Sequence, residues 1–190
     1  MSDDKDNKKA NPAIGEKLFA ARKVLICEEI NQTMARRVIA ELLALAETSD
    51  DPIQLFVNSQ GGHVEAGDSI HDVIGFIAPT VQVIGTGWVA SAGTHIYLAA
   101  DKANRFCLPN TRFLIHQPSG GAGGSATDIA IQAAQIIKMR ERLAQVIANS
   151  TGTDIERVRK DIERDKWMDT AEAIDYGIVS KVITSSAELA

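Results

Sequence analysis

A serine, a histidine and an acid, the residue types that together perform acyl transfer, occur in this chain in settings that suit that chemistry. Ser91 lies in GTGWVASAG, after Gly85, Gly87 and the small Ala90, where a strand-like run gives way to a short helical one. Such a turn lifts a hydroxyl to a helix N-terminus and leaves room for a substrate backbone. The strict G-x-S-x-G pattern is absent, and a serine at a helix start also serves as a plain N-cap. His116 ends the run RFLIH ahead of Gln117, Pro118 and a glycine-rich stretch, so its ring stands where clefts open, free to act as a general base or to be tied to a carbonyl. Gly61-Gly62 closes another strand in a turn that tolerates positive φ and can aim backbone N–H groups into a cleft. His63 follows that pair in a loop, while His71 and His95 sit inside helical segments and read as packing or surface residues. The acid is left open: Asp161, Asp165 and Asp169 lie in or beside one charged run, and spacing does not choose among them.

The elements that must carry these groups alternate short apolar runs with helical periods, the mark of an α/β domain. Val24 to Ile30, Ile53 to Val57, Val81 to Ile84, Arg105 to Leu108, Arg112 to His116 and Val179 to Ile183 read as strands. Thr33 to Glu47, Val64 to Ala78, Ala92 to Ala100, Thr127 to Asn149, Asp154 to Arg164 and Thr170 to Tyr176 read as helices. The helix Thr127 to Asn149 has Thr127 or Asp128 as its N-cap, and it offers Ile129, Ala133, Ile136, Ile137, Leu143, Val146 and Ile147 to one buried face, within the chain or shared with another subunit.

At 190 residues and 45% hydrophobic composition the chain suits one globular domain, residues 13–190, behind a polar tail, residues 1–12, expected to be flexible to about Asn11. A net charge of −5 and a pI near 5.4, with no basic stripe, argue against nucleic acid. Met1 to Pro12 holds no apolar stretch that would make a signal peptide or anchor, which points to the cytoplasm. Cys27 and Cys107 sit in apolar strand-like runs and read as buried free thiols.

The segments FVNSQGGHVEAGDSIHDVI, GTGWVASAG, NRFCLPNTRFLIHQPSGG, ATDIAIQAAQIIKMRERLAQVIANSTG and IERDKWMDTAEAIDYGIVSKVI resemble, in order and spacing, the proteolytic subunits of the Clp protease (ClpP). The resemblance implies Ser91 as nucleophile, His116 as general base and Asp165 as the acid orienting it. It places the oxyanion hole at the backbone N–H groups of Gly62 and Ala92. The implied fold is a crotonase-like α/β subunit built of repeated β-β-α-type units, with a protruding handle over about 127–149. The implied assembly is two stacked heptameric rings fed by an AAA+ unfoldase, with a paralogous subunit as a further partner. An apolar docking pocket falls on Phe56, Phe76, Ile84 and Phe106. ATP would be used by the unfoldase; this chain carries no G-x-x-x-x-G-K-[ST] loop and is expected to need no cofactor or metal.

The chain departs from the family at several points. Gln60 stands where proline is usual, Ala92 where methionine is usual, and Ser125 and Ala130 where a glutamine and a glutamate serve contacts between rings. GEKLFAARKVLI replaces the family's usual lead-in. Two other readings share much of this pattern: an acyl-CoA hydratase-like enzyme of the same fold, which would need carboxylates and not the Ser91 and His116 pair, and an inactive subunit of a mixed ring.

Overall fold

A computed structural model describes residues 12–121 and 123–189, so the expectation for Met1 to Asn11 falls outside the described residues. The first element, α1 (Pro12–Ala20), was not foreseen, and it buries none of its residues. Helices α2 (Gln32–Ala46) and α3 (Val64–Phe76) alternate with β1 (Lys23–Ile26), β2 (Ile53–Ser59) and β3 (Val81–Ala90). The short α4 (Ala92–Tyr97) leads to β4 (Arg105–Cys107) and β5 (Arg112–Ile115). The chain ends with α5 (Ala126–Thr151), α6 (Ile155–Asp161), β6 (Lys166–Met168), α7 (Thr170–Asp175) and β7 (Lys181–Val182). Among the described residues no helix is long and apolar enough to cross a membrane.

The α/β expectation holds: β1, β2, β3, β4 and β7 form a parallel sheet in that order. Parallel strands covered by helices are buried on both faces, and Val24, Ile26, Leu55, Val57 and Val83 are accordingly sealed in the main core. The sheet forks at β3. Its first half pairs with β4 at Val83 to Gly85, and its second half pairs with β5 at Trp88 to Ala90. The strand expected over Val81 to Ile84 runs on to Ala90, because Gly85 and Gly87 bend it without ending it. Gly87 takes φ +61, Asn58 Oδ1 accepts from the Trp88 N–H at 3.3 Å, and the β2–β3 register shifts between Val57 and Ser59. The fork carries β3 onward to Ser91.

Three further expectations change. β1 stops at Ile26, so Cys27 is exposed while Cys107 is buried. The N-cap of α5 is Ser125, whose Oγ accepts from the Asp128 N–H, with the Asp128 carboxylate returning to Ser125 as a capping box. Only the C-terminal part of α5 is covered: Ala144, Ile147, Ala148 and Thr151 are buried, whereas Ile129 and Ile137 are 43% and 67% exposed. Strand β6, antiparallel to β5, had no apolar alternation to announce it.

His71 and His95 are more than packing. Their rings stack at 4.4 Å and 8°, His95 Nε2 meets Asp68 Oδ1 at 2.9 Å, and Asp68 Oδ2 meets Arg142 Nη2 at 2.5 Å. Burial above all, then the neighbouring His71, pulls the His95 pKa down to about 4. Between pH 6.5 and about 4 the unfolded chain therefore takes up a proton that the folded chain refuses. The stability carried by neutral His95 is complete above pH 6.5 and is lost as pH falls toward 4, on the order of 3 kcal/mol at most. Urea unfolding at pH 4 to 7 should show a shallower pH dependence in His95→Phe than in the parent; parallel curves would remove His95 as the cause.

Candidate active site

Ser91 stands where β3 turns into α4, and its backbone takes φ +55 and ψ −120, a conformation rare outside glycine. Such strain costs on the order of 1–3 kcal/mol and persists only where neighbours over-determine it. Here they do. The Ser91 N–H donates to Leu114 O at 3.0 Å, and the buried Thr94 hydroxyl lies 2.8 Å from both Val89 O and Leu114 O. The turn at Gly61-Gly62 closes the other side: a Cβ on Gly61 would come within 2.6 Å of Ser91 Cβ, and one on Gly62 within 2.2 Å of Ile30 O. Both glycines hold positive φ, +99 and +148, so neither position admits a side chain.

His116 follows directly on β5, and its Nε2 lies 2.7 Å from Ser91 Oγ. Its Nδ1 lies 3.0 Å from Asp165 Oδ1. With Nδ1–H given to the carboxylate, Nε2 is left to accept from the serine hydroxyl. Asp165 sits between α6 and β6, and its side chain is 63% exposed, so the loop must fix it. Gln117 supplies that hold: its backbone N–H donates to Ile162 O at 2.6 Å and its side-chain amide to Glu163 O at 2.9 Å. Asp169 is committed elsewhere, as the N-cap of α7, and Asp161 faces Lys166 at 3.3 Å. Of the three acids that spacing left open, Asp165 is the one in contact with His116.

Ala92, the first residue of α4, contributes one of the N–H groups that no intrahelical carbonyl can satisfy. A Cβ built on Gly61 would lie 3.1 Å from that Ala92 nitrogen, which sets the glycine turn and the start of α4 against each other. Ser59 pins the turn, its hydroxyl donating to Glu28 O at 2.7 Å and accepting from the Gly61 N–H at 3.1 Å. Neither Ser59 nor Gln117 was singled out from sequence, because hydrogen bonds to distant backbone leave no local pattern. Beside Ser91 lies a recess of about 30 Å³, walled by Val64, Ala92, His95, Leu143 and Ile147. A hydroxyl in contact with an imidazole, a carboxylate behind it and an apolar recess beside it are the parts acyl transfer requires.

The four residues expected in an apolar docking pocket are not all on the surface. Phe56, Ile84 and Phe106 lie side by side across β2, β3 and β4. Ile84 is fully buried in a small cluster with Ile183 and Leu189, while Phe56 and Phe106 are half-buried against it. The C-terminal turn Ser186–Leu189 covers that position, helped by a hydrogen bond from Gln82 Nε2 to Leu189 O at 3.2 Å. Phe76, the last residue of α3, is 81% exposed.

Against known proteins, residues 6–186 match the family model described as Clp protease. The chain is 53% identical to "ATP-dependent Clp protease proteolytic subunit 3" of Rhizobium meliloti (strain 1021) over 191 residues, 98% of each chain. It is 58% identical to the "ATP-dependent Clp protease proteolytic subunit" of Paracoccus denitrificans over 167 residues, covering 88% of this chain and 84% of that one. Among solved structures, a point mutant of ClpP1 from Listeria monocytogenes superposes with a TM-score of 0.88 at 55% identity, covering 93% of this chain and 99% of the other. Identity above one half along nearly the whole length goes well beyond a shared fold, and this chain belongs to the Clp protease family of peptidases.

Proposed function

We propose that this chain cuts polypeptides through an acyl-enzyme on Ser91, with His116 as general base and Asp165 as the residue that orients it. The observation that carries the reading is the unbroken contact from Ser91 Oγ to His116 Nε2 at 2.7 Å and from His116 Nδ1 to Asp165 at 3.0 Å. As the serine oxygen attacks the peptide carbonyl, His116 takes its proton, and the imidazolium so formed is stabilised by the Asp165 carboxylate. The carbonyl oxygen gains negative charge, which the backbone N–H groups of Gly62 and Ala92 receive; such donors typically contribute about 3 kcal/mol each. His116 then gives the proton to the leaving amine. Water, activated by the same imidazole, releases the acyl group and restores the serine.

A fluorophosphonate is expected to label Ser91 alone, with labelling abolished in His116→Ala. Asp165→Asn should retain the fold while losing on the order of 10⁴-fold in turnover, because the tautomer of His116 is then wrong. Labelling that survives Ser91→Ala would overturn the assignment of the nucleophile. An inactive role in a mixed ring is the second reading, and the intact contact between the three side chains speaks against it.

The subunit is proposed to work in the cytoplasm in two stacked heptameric rings, α5 serving as the handle between them, with no cofactor of its own. A 26-residue helix spans roughly 39 Å, and the apolar side chains Ile129, Ile131 and Ile137 along it are exposed in the isolated chain. An ATPase of the AAA+ type would unfold substrates and supply the use of ATP. Its apolar loop would dock over Phe56, Phe106 and Phe76, with Ile84 beneath them as support. A paralogous subunit is a further candidate member of the ring. Light scattering is expected to give a particle of ring-pair mass, reduced toward single rings in Ile137→Asp; a stable and active monomer would overturn this assembly.

A further inference from the structure

Three helices wall the recess beside Ser91, with Ile115, His116 and Pro118 completing it. α4 contributes Ala92 and His95, α5 contributes Leu143 and Ile147, and the start of α3 contributes Val64. One carboxylate bonds to two of these walls at once. Asp68, on α3, meets His95 Nε2 on α4 at 2.9 Å and Arg142 Nη2 on α5 at 2.5 Å, with only 16% of its side chain exposed. Arg142 directly precedes the wall residue Leu143, and the His95 N–H donates to Ser91 O at 3.1 Å. The α3–α4 contact has no slack either, since a Cβ on Gly67 would lie 3.3 Å from Ala92 Cβ.

The arrangement is not the one that packing alone would select. Because Asp68 accepts from Nε2–H, His95 Nδ1 carries a lone pair, and that nitrogen is buried without a hydrogen-bond partner. An apolar ring at position 95 would fill the same wall without leaving a buried polar atom unpaired. His71 stacks flat on the imidazole and, with Asp68, fixes its plane. What the polar cluster supplies is orientation: His95 bonds to one carboxylate oxygen in one rotamer, where a purely apolar contact would tolerate several.

We infer that Asp68 is a positioning residue for substrate selection, holding His95 on α4 and Arg142 on α5 so that the recess keeps one width for the side chain preceding the scissile bond. The inference rests on the proposed acyl-enzyme reading of Ser91. A recess of fixed width discriminates between side chains of different size, whereas walls free to re-pack accept many. Asp68 touches neither Ser91 nor His116, so it acts through His95 and Arg142.

The test compares kcat/KM for fluorogenic peptides that differ only in the residue on the acyl side of the cleaved bond, alanine, leucine or phenylalanine. The assembled protein is measured as the parent, Asp68→Asn, Arg142→Leu and the double variant. Asp68→Asn keeps the shape and an acceptor for His95 but removes the charge facing Arg142. The ratio between the best and worst peptide is expected to fall about tenfold in each single variant. It should fall no further in the double variant, because both substitutions break the same link. A ratio unchanged while all three peptides slow equally, or losses that add in the double variant, would overturn the inference. Should Asp68→Asn fail to fold, Arg142→Leu, at a half-exposed position, carries the test alone. Turnover that survives Ser91→Ala in the same assay would instead overturn the nucleophile reading, a separate outcome.

Discussion

The backbone inversion at Ser91 is the constraint on which the rest of this structure depends. A residue with a Cβ held at φ +55 must be locked from several sides, and nearly every feature of the site does part of that work. The fork in the sheet lets β5 run beside the end of β3, so Leu114 O can accept from both Ser91 and Thr94. The same β5 delivers His116 one residue beyond its end. The antiparallel β6 then returns Asp165 to the histidine. Gly61 and Gly62 lack side chains because Ser91 Cβ and Ala90 O on one flank and the backbone of Ile30 on the other leave no volume for them.

Much of this was legible in the sequence where the signal was local. Strongly periodic helices such as α2 and α3 lie within two residues of their expected bounds, and Ser91, His116 and the glycine pair stood out by their flanking residues. What could not be read was set by distant partners. Glycines inside β3 look like a turn until Asn58, thirty residues earlier, is seen to hold the strand together through the Trp88 N–H. Three acids in one charged run are equivalent until the fold brings a single one to His116. Gln117 and Ser59 donate to backbone carbonyls far along the chain, and Ile84 is buried by residues of the C-terminal turn. Cys27 was placed inside because its neighbours are apolar, but the strand ends one residue too early to carry it in.

α5 shows where the isolated chain is energetically incomplete. Its C-terminal turns are anchored by buried Ala144, Ile147 and Thr151, and by Arg105, which is 1% exposed and donates to Ser150 O at 2.7 Å. Its N-terminal turns rely on the Ser125 capping box and leave isoleucines in solvent. The anchored part walls the recess beside Ser91, and the unanchored part is the portion available to another subunit. One helix therefore runs from the proposed catalytic groups to the surface proposed for assembly.

Ser91, His116 and the two backbone N–H groups are proposed to form one preorganised site. A crystal structure of the chain reacted with a peptide boronate tests it most directly. The expected result is a covalent bond from Ser91 Oγ to boron, His116 Nε2 within hydrogen-bond reach, and one boronate oxygen about 2.7–3.1 Å from the N–H groups of both Gly62 and Ala92. A boronate bonded elsewhere, or bonded to Ser91 with that oxygen turned to solvent, would contradict it.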